Sequence, residues 1–175
     1  TGRGPIEALG AGLSFKQGYE VAFRANFATV KDETLELLDR RCGRDLKTEE
    51  AMELAKAVDN MDLEKFNGYA RVTATVGHRA VVIIGSKSCK LSGNVSNTDP
   101  AYEKKGYISI ALKNFEMKVS KCKPLDDTKE AAITAELANI FTEKSFKILD
   151  SHPVNLAREK TVSYTHLTLP TKRIV

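Results

Sequence analysis

Residues 71–84 read Arg71-Val-Thr-Ala-Thr-Val76, then Gly77-His78, then Arg79-Ala-Val-Val-Ile-Ile84. The first run alternates, the period of a strand whose two faces differ. Gly77 can take the positive φ that a type II′ hairpin turn needs at its first central position. The second run is apolar on both faces, which predicts a strand in the middle of a sheet.

Working outward, Val21–Val30 predicts a second strand. Val21, Phe23, Ala25 and Phe27 share an apolar face, and Arg24 and Asn26 share the other. Lys31-Asp-Glu33 is a polar turn. Thr48, with Glu49 and Glu50 behind it, has the composition of a helix start, where acids complement the helix dipole. Ala51, Leu54, Ala55 and Val58 then fall on one helical stripe.

Residues 85–106 form a loop rich in Gly, Ser, Asn and Lys, which includes the turn-forming Asn97-Thr-Asp-Pro100. Tyr107–Leu112 and Phe115–Val119 predict a second strand pair across Lys113-Asn114. Asp127-x-x-Glu130 predicts a capping box. The helix behind it, with Ile133, Leu137, Ile140, Phe141 and Ile148 on one side, runs to about Asp150 and ends at Pro153. Near the start, Pro5, Ile6–Leu9 and Gly10 predict a helical turn or two. Gly2-x-Gly4 and Gly10-x-Gly12 are not dinucleotide fingerprints, because neither has the third glycine or a preceding strand. Hairpins interleaved with helices predict an α+β fold: a mostly antiparallel sheet with helices packed on one face.

Composition sets the outer limits. The chain has 175 residues, 42% hydrophobic and 29% charged. A chain of this size buries roughly 68–70% of its unfolded surface and builds a core without staples. No stretch approaches the ~18 apolar residues of a membrane span. Cys42, Cys89 and Cys122 are odd in number and scattered, with no C-x-x-C, against both a disulfide framework and a zinc ribbon. Reduced thiols in a cytoplasmic protein are expected.

The 27 Lys+Arg exceed the 23 Asp+Glu by four. Residues 161–175 contain no acid, a Thr every few positions and no continuation of the preceding helical period, and are expected to be a non-native cloning or adapter tail. Setting the tail aside removes Lys172 and Arg173 and leaves a net charge of +2. Such a weak charge with 7% aromatics does not suggest nucleic acid. The start at Thr1, in the middle of a phrase, is expected of a piece of a longer protein.

Candidate chemistry is sparse. There is no H-E-x-x-H and no nucleophile elbow. His152 precedes Pro153 and suits a helix-end role. Asp126-Asp127 suits capping more than metal binding. The arginines are more informative. Arg24 lies on a strand face, Asp39-Arg-Arg-Cys-Gly-Arg44 places Arg40, Arg41 and Arg44 around a glycine, and His78-Arg79 sits at a hairpin tip. A guanidinium binds carboxylate or phosphate bidentately, so these clusters suit a small anion if folding unites them. The same charges also suit solvated surface, and His78 also suits a plain turn.

Seven blocks fall in order along the chain: Gly2-Arg-Gly-Pro-Ile-Glu-Ala-Leu-Gly-Ala-Gly12, Val21–Val30, Asp39–Arg44, Gly77-His-Arg79, Asn97-Thr-Asp-Pro100, Pro124-Leu-Asp-Asp127 and His152-Pro-Val-Asn155. Together they resemble the archaeal-type cofactor-independent phosphoglycerate mutases of the alkaline phosphatase superfamily. Two positions depart from the pattern: Asn97 stands where an acid is expected, and Ile6 where an aromatic is usual.

The resemblance implies a phosphatase-like core split by an inserted domain. The core would supply the nucleophilic Ser and the ligands of two divalent ions, Mn or Mg. Residues 1–18 would then end the first half of the core, 19–150 would be the inserted substrate-binding domain, and 151–160 would begin the return. The parent would interconvert 3-phosphoglycerate and 2-phosphoglycerate through a phosphoserine in glycolysis and gluconeogenesis, without nucleic acid or membrane as partner. This chain would be inactive alone, with no metal ligand or catalytic nucleophile of its own. It would hold the glycerate and phosphate with Arg24, Arg40, Arg41, His78 and Arg79, supported by Asn26 and Arg44. The residues alone leave a second reading open, a free-standing non-catalytic module for a small anion or a protein.

Overall fold

The computed structural model describes residues 3–106 and 108–164. Its centre is the hairpin of β5 (Gly68–Ala74) and β6 (Arg79–Ser86), antiparallel with Val72 opposite Val82. Strand β1 (Glu20–Asn26) pairs with the other edge of β6, placing Arg24 opposite Val81 and Asn26 opposite Arg79. The short β4 (Met61–Asp62) completes an antiparallel sheet of order β1-β6-β5-β4. The doubly apolar strand is therefore internal. Ala80, Val82 and Ile84 point to one core and Val81 and Ile83 to another.

Two helices make the larger core. α2 (Thr48–Val58) buries Ala51, Leu54, Ala55 and Val58, the stripe expected from sequence. Glu50 accepts from the Lys47 N–H at 3.0 Å, so the N-terminal cap lies one residue earlier than Thr48. α3 (Lys129–Asp150) is capped by Thr128, whose hydroxyl accepts from the Ala131 N–H; Asp126 in turn accepts from the Thr128 N–H. Ile133, Leu137 and Phe141 of α3 are buried, whereas Ile148 faces outward and Leu149 takes the inner position.

The opposite face of the sheet is covered by α1 (Arg3–Gly10). Ala8 joins Ala22, Val81 and Ile83 in a small separate core. The approach is very close: a Cβ on Gly4 would stand 2.0 Å from the Ala22 carbonyl oxygen.

Some local expectations are corrected. The Val21–Val30 run breaks after Asn26, and β2 (Thr29–Val30) pairs with an unexpected β3 (Leu37–Asp39). The second strand pair is β7 (Tyr102–Lys105) with β8 (Ile108–Ala111), not 107–112 with 115–119. Its turn falls at Gly106, with φ +59°, a conformation that disfavours Lys or Asn far less than a β-branched residue but suits glycine best. Pro153 does not merely stop α3; it opens α4 (Pro153–Tyr164), the first-turn position where a missing N–H costs nothing. His152 Nδ1 accepts from the Val154 N–H at 3.2 Å, so this histidine serves the start of α4. The helix continues through Tyr164, and the rest of the suspected tail, 165–175, lies outside the described residues.

Candidate anion-binding site

Three segments meet at one corner of the sheet. The first is the tip of the β5–β6 hairpin. Gly77 alone carries a positive φ there, +53°, with His78 after it, the pattern of a type II′ turn. Arg79 donates to the Val76 carbonyl at 3.1 Å and accepts from the Thr75 N–H at 2.9 Å. Two residues thus oppose one, a bulge that twists the tip. The second segment is the end of β1, where the Phe27 N–H donates to the His78 carbonyl at 2.8 Å.

The third segment is the loop 39–46, reached from β3 and containing a short 3-10 turn, Cys42–Arg44. The Leu46 carbonyl lies 4.0 Å from where a Gly77 Cβ would stand, which seats the loop beside the hairpin tip. Cys42 and Arg44 have φ +47° and +63°. Left-handed backbone costs an L residue roughly 1–2 kcal/mol, so this loop needs anchors. Asp39 accepts from the Arg41 N–H at 2.6 Å, and the Arg44 N–H donates to the Arg41 carbonyl at 2.8 Å. The Cys42 side chain is buried and hydrogen-bonded to Thr29; burial pushes its thiol up to about 12.

The electrostatics report what has been gathered. The His78 imidazole is held below its ordinary value, first by burial and then by the positive fields of Arg79, Arg41, Arg44 and Arg24. Guanidinium groups from β1, the loop and the hairpin therefore act on one imidazole. Asn26 stands opposite Arg79, and its side-chain oxygen is buried without a hydrogen-bond partner. Arg24 Nε lies 3.2 Å from Glu7 of α1. Arg79 is exposed and lines an open cleft of about 620 Å³ with Glu7, Gly10 and Thr75.

Arg40 departs from the group. Its Nε and Nη2 donate to the two carboxylate oxygens of Asp99 at 2.8 and 2.6 Å, and its guanidinium packs over Tyr102 and Phe115. This fork is already filled, and its work is to tie the loop after β3 to the 97–100 turn. Sequence reasoning also missed Arg158, which reaches the 39–46 loop from α4. It sits in Ala157-Arg-Glu-Lys160, which as a string looks like any solvated charge run. Among the described residues, no group of three or more His, Cys, Asp or Glu side chains could hold a metal ion.

The fold places the chain in a defined class. It superposes on the cofactor-independent phosphoglycerate mutase of Thermoplasma acidophilum with a TM-score of 0.72 and 34% identity, over 99% of this chain and 40% of that one. The profile of the 2,3-bisphosphoglycerate-independent phosphoglycerate mutases matches residues 1–155, and the chain belongs to that family. Its similarity to the mutase of Aeropyrum pernix is 52% identity over 159 residues, 91% of this chain and 37% of that protein. For mutase 1 of Methanocaldococcus jannaschii it is 40% over 160 residues, 91% of this chain and 34% of that protein. The chain thus spans little more than a third of the length of these relatives.

Proposed function

We propose that this chain is the substrate-holding part of a phosphoglycerate mutase, an isomerase that interconverts 3-phosphoglycerate and 2-phosphoglycerate through a phosphoserine. Residues 19–150 are the inserted domain in this reading, residues 1–18 and 151–160 lead from and to the core, and 161–175 are foreign. The core supplies the nucleophile and the two divalent ions, Mn or Mg. The parent works in the cytoplasm, in glycolysis and gluconeogenesis.

The observation that carries the reading is the meeting of the end of β1, the β5–β6 tip and the loop 39–46 at one corner of the sheet, where burial and then Arg79, Arg41, Arg44 and Arg24 hold His78 below its ordinary value. Like charges repel, so such a cluster suits a site completed by an anion. Phosphoglycerate carries two anionic ends, a carboxylate and a phosphate, and each matches a guanidinium fork. His78, kept neutral by its surroundings, offers one ring N–H as donor and one nitrogen as acceptor. Asn26 adds an unused oxygen that can accept from a glycerate hydroxyl. The contribution of these residues is binding and orientation, which holds the glycerate while the phosphoryl group moves.

The test is the complete parent enzyme. A charged hydrogen bond contributes about 1.5–3 kcal/mol, so Arg24→Ala and Arg79→Ala should each lower kcat/KM by roughly 10- to 100-fold. Wild-type kinetics in both variants would overturn the assignment.

A further inference from the structure

We infer that Arg158 is a positioning residue for this anion site: from α4 it pins the loop that carries Arg41 and Arg44. The inference rests on the proposed site. Arg158 Nη2 lies 2.6 Å from Asp45 Oδ1, and Nη1 lies 3.2 Å from Glu50 Oε2. One guanidinium thus bridges the residue that follows the Cys42–Arg44 turn and the first turn of α2. Glu50 Oε2 also receives the Lys47 N–H, so the same oxygen closes the end of the loop and caps the helix.

This is not an ordinary surface pair. The Arg158 side chain is 12% exposed and Glu50 30%, although Asp45 is exposed, whereas both members of the Lys56–Glu53 pair are exposed. A planar fork held by two acids on different elements fixes an orientation, which a single ammonium cannot do. The two acids occupy both Nη groups, while the Nε is buried without a hydrogen-bond partner. The pinned segment has the most reason to relax, because Cys42 and Arg44 both hold left-handed backbone. Without the bridge, the turn loses its tether to α4, and Arg41 and Arg44 swing away from His78. Because residues after 150 lead toward the remainder of the parent in the proposed reading, α4 joins the geometry of that return segment to the geometry of the anion site.

The experiment uses the complete parent enzyme with phosphoglycerate as the probe. Arg158→Ala and Asp45→Asn should each raise KM about ten-fold while kcat changes less than three-fold. The Arg158→Ala/Arg41→Ala/Arg44→Ala triple variant should have a KM close to that of Arg41→Ala/Arg44→Ala, because Arg158 acts only through those two arginines. Asp45 is exposed, so Asp45→Asn carries the test if Arg158→Ala fails to fold. An unchanged KM in Asp45→Asn, or a further rise in KM when Arg158→Ala is added to Arg41→Ala/Arg44→Ala, overturns the inference. If Arg24→Ala and Arg79→Ala still raise KM in that case, only the role of Arg158 falls. If none of the arginine variants alters KM, the anion site falls and the role of Arg158 falls with it.

Discussion

Arg40 and Asp99, 59 positions apart in sequence, face each other through two parallel hydrogen bonds of 2.8 and 2.6 Å. Both side chains are less than one-fifth exposed. Hydrogen bonding to Asp99 raises the Arg40 guanidinium above its already high ordinary value, so the guanidinium stays charged. Truncating one partner leaves the other charge partly buried. Arg40→Ala should therefore destabilise the chain by about 2–3 kcal/mol. Arg40→Lys should recover only part of that loss, since an ammonium cannot form the fork. Urea unfolding midpoints measure both, and a full recovery by lysine would show that the bidentate geometry is unimportant.

Two glycines of α1 should respond oppositely to the same methyl group. At Gly4 the added Cβ meets backbone oxygen of Ala22 at 2.0 Å, and nothing flexible can yield. Gly4→Ala should cost about 2–3 kcal/mol as α1 is forced off β1. At Gly10 the space is empty. Gly10→Ala should be neutral or stabilising by up to about 1 kcal/mol. Thermal unfolding of the two variants side by side checks the direction, and a tolerated Gly4→Ala would contradict the packing of α1.

His78 should leave a signature in acid. Its folded-state pKa lies below 6.5 because burial and four arginines oppose the imidazolium. As pH falls below 6.5 the unfolded chain takes up this proton first, so the native state loses stability until pH passes below the folded-state pKa. His78→Gln should flatten that part of the stability–pH curve. In an NMR titration the His78 ring should titrate below 6.5, and the midpoint should rise when phosphoglycerate brings negative charge to the site. A midpoint unmoved by ligand would place the anion elsewhere.

The thiols should be unequal. Burial pushes Cys42 up to about 12 and Cys122 up to about 11, while Cys89 is only half-buried. In the folded chain, an aromatic disulfide reagent at neutral pH should label one thiol quickly and the other two only under denaturant. Cys89→Ser should abolish the fast phase. Two fast thiols would mean that the core around Cys42 or Cys122 opens readily.

The central hairpin, the stripe of α2 and the inner positions at the start of α3 were legible because period and burial coincide there. A strand that is apolar on both faces must be internal, and β6 is. The second strand pair was misplaced because Phe115–Val119 has strand composition but lacks a neighbour in register. It meets Glu36 only at a single bridge, through Lys118. The proposed site is only partly readable from sequence. Arg24, Arg41, Arg44, His78 and Arg79 could be named from sequence because arginine around glycine and at a hairpin tip is chemically suggestive. Arg40 could not be told apart from Arg41, since only the folded chain shows that Asp99 takes up the Arg40 fork. Arg158 could not be seen at all, because its partners lie 108 and 113 positions away.

By itself the sequence determined the secondary-structure alphabet, the α+β class and the family, all of which rest on local period and ordered short motifs. Tertiary structure alone decided which arginines share a field, which are already paired, and that α1 closes the second face of the sheet. The reason is physical: periodicity acts over a few residues, whereas an ion pair acts over a few ångströms. Only the folded chain converts one distance into the other.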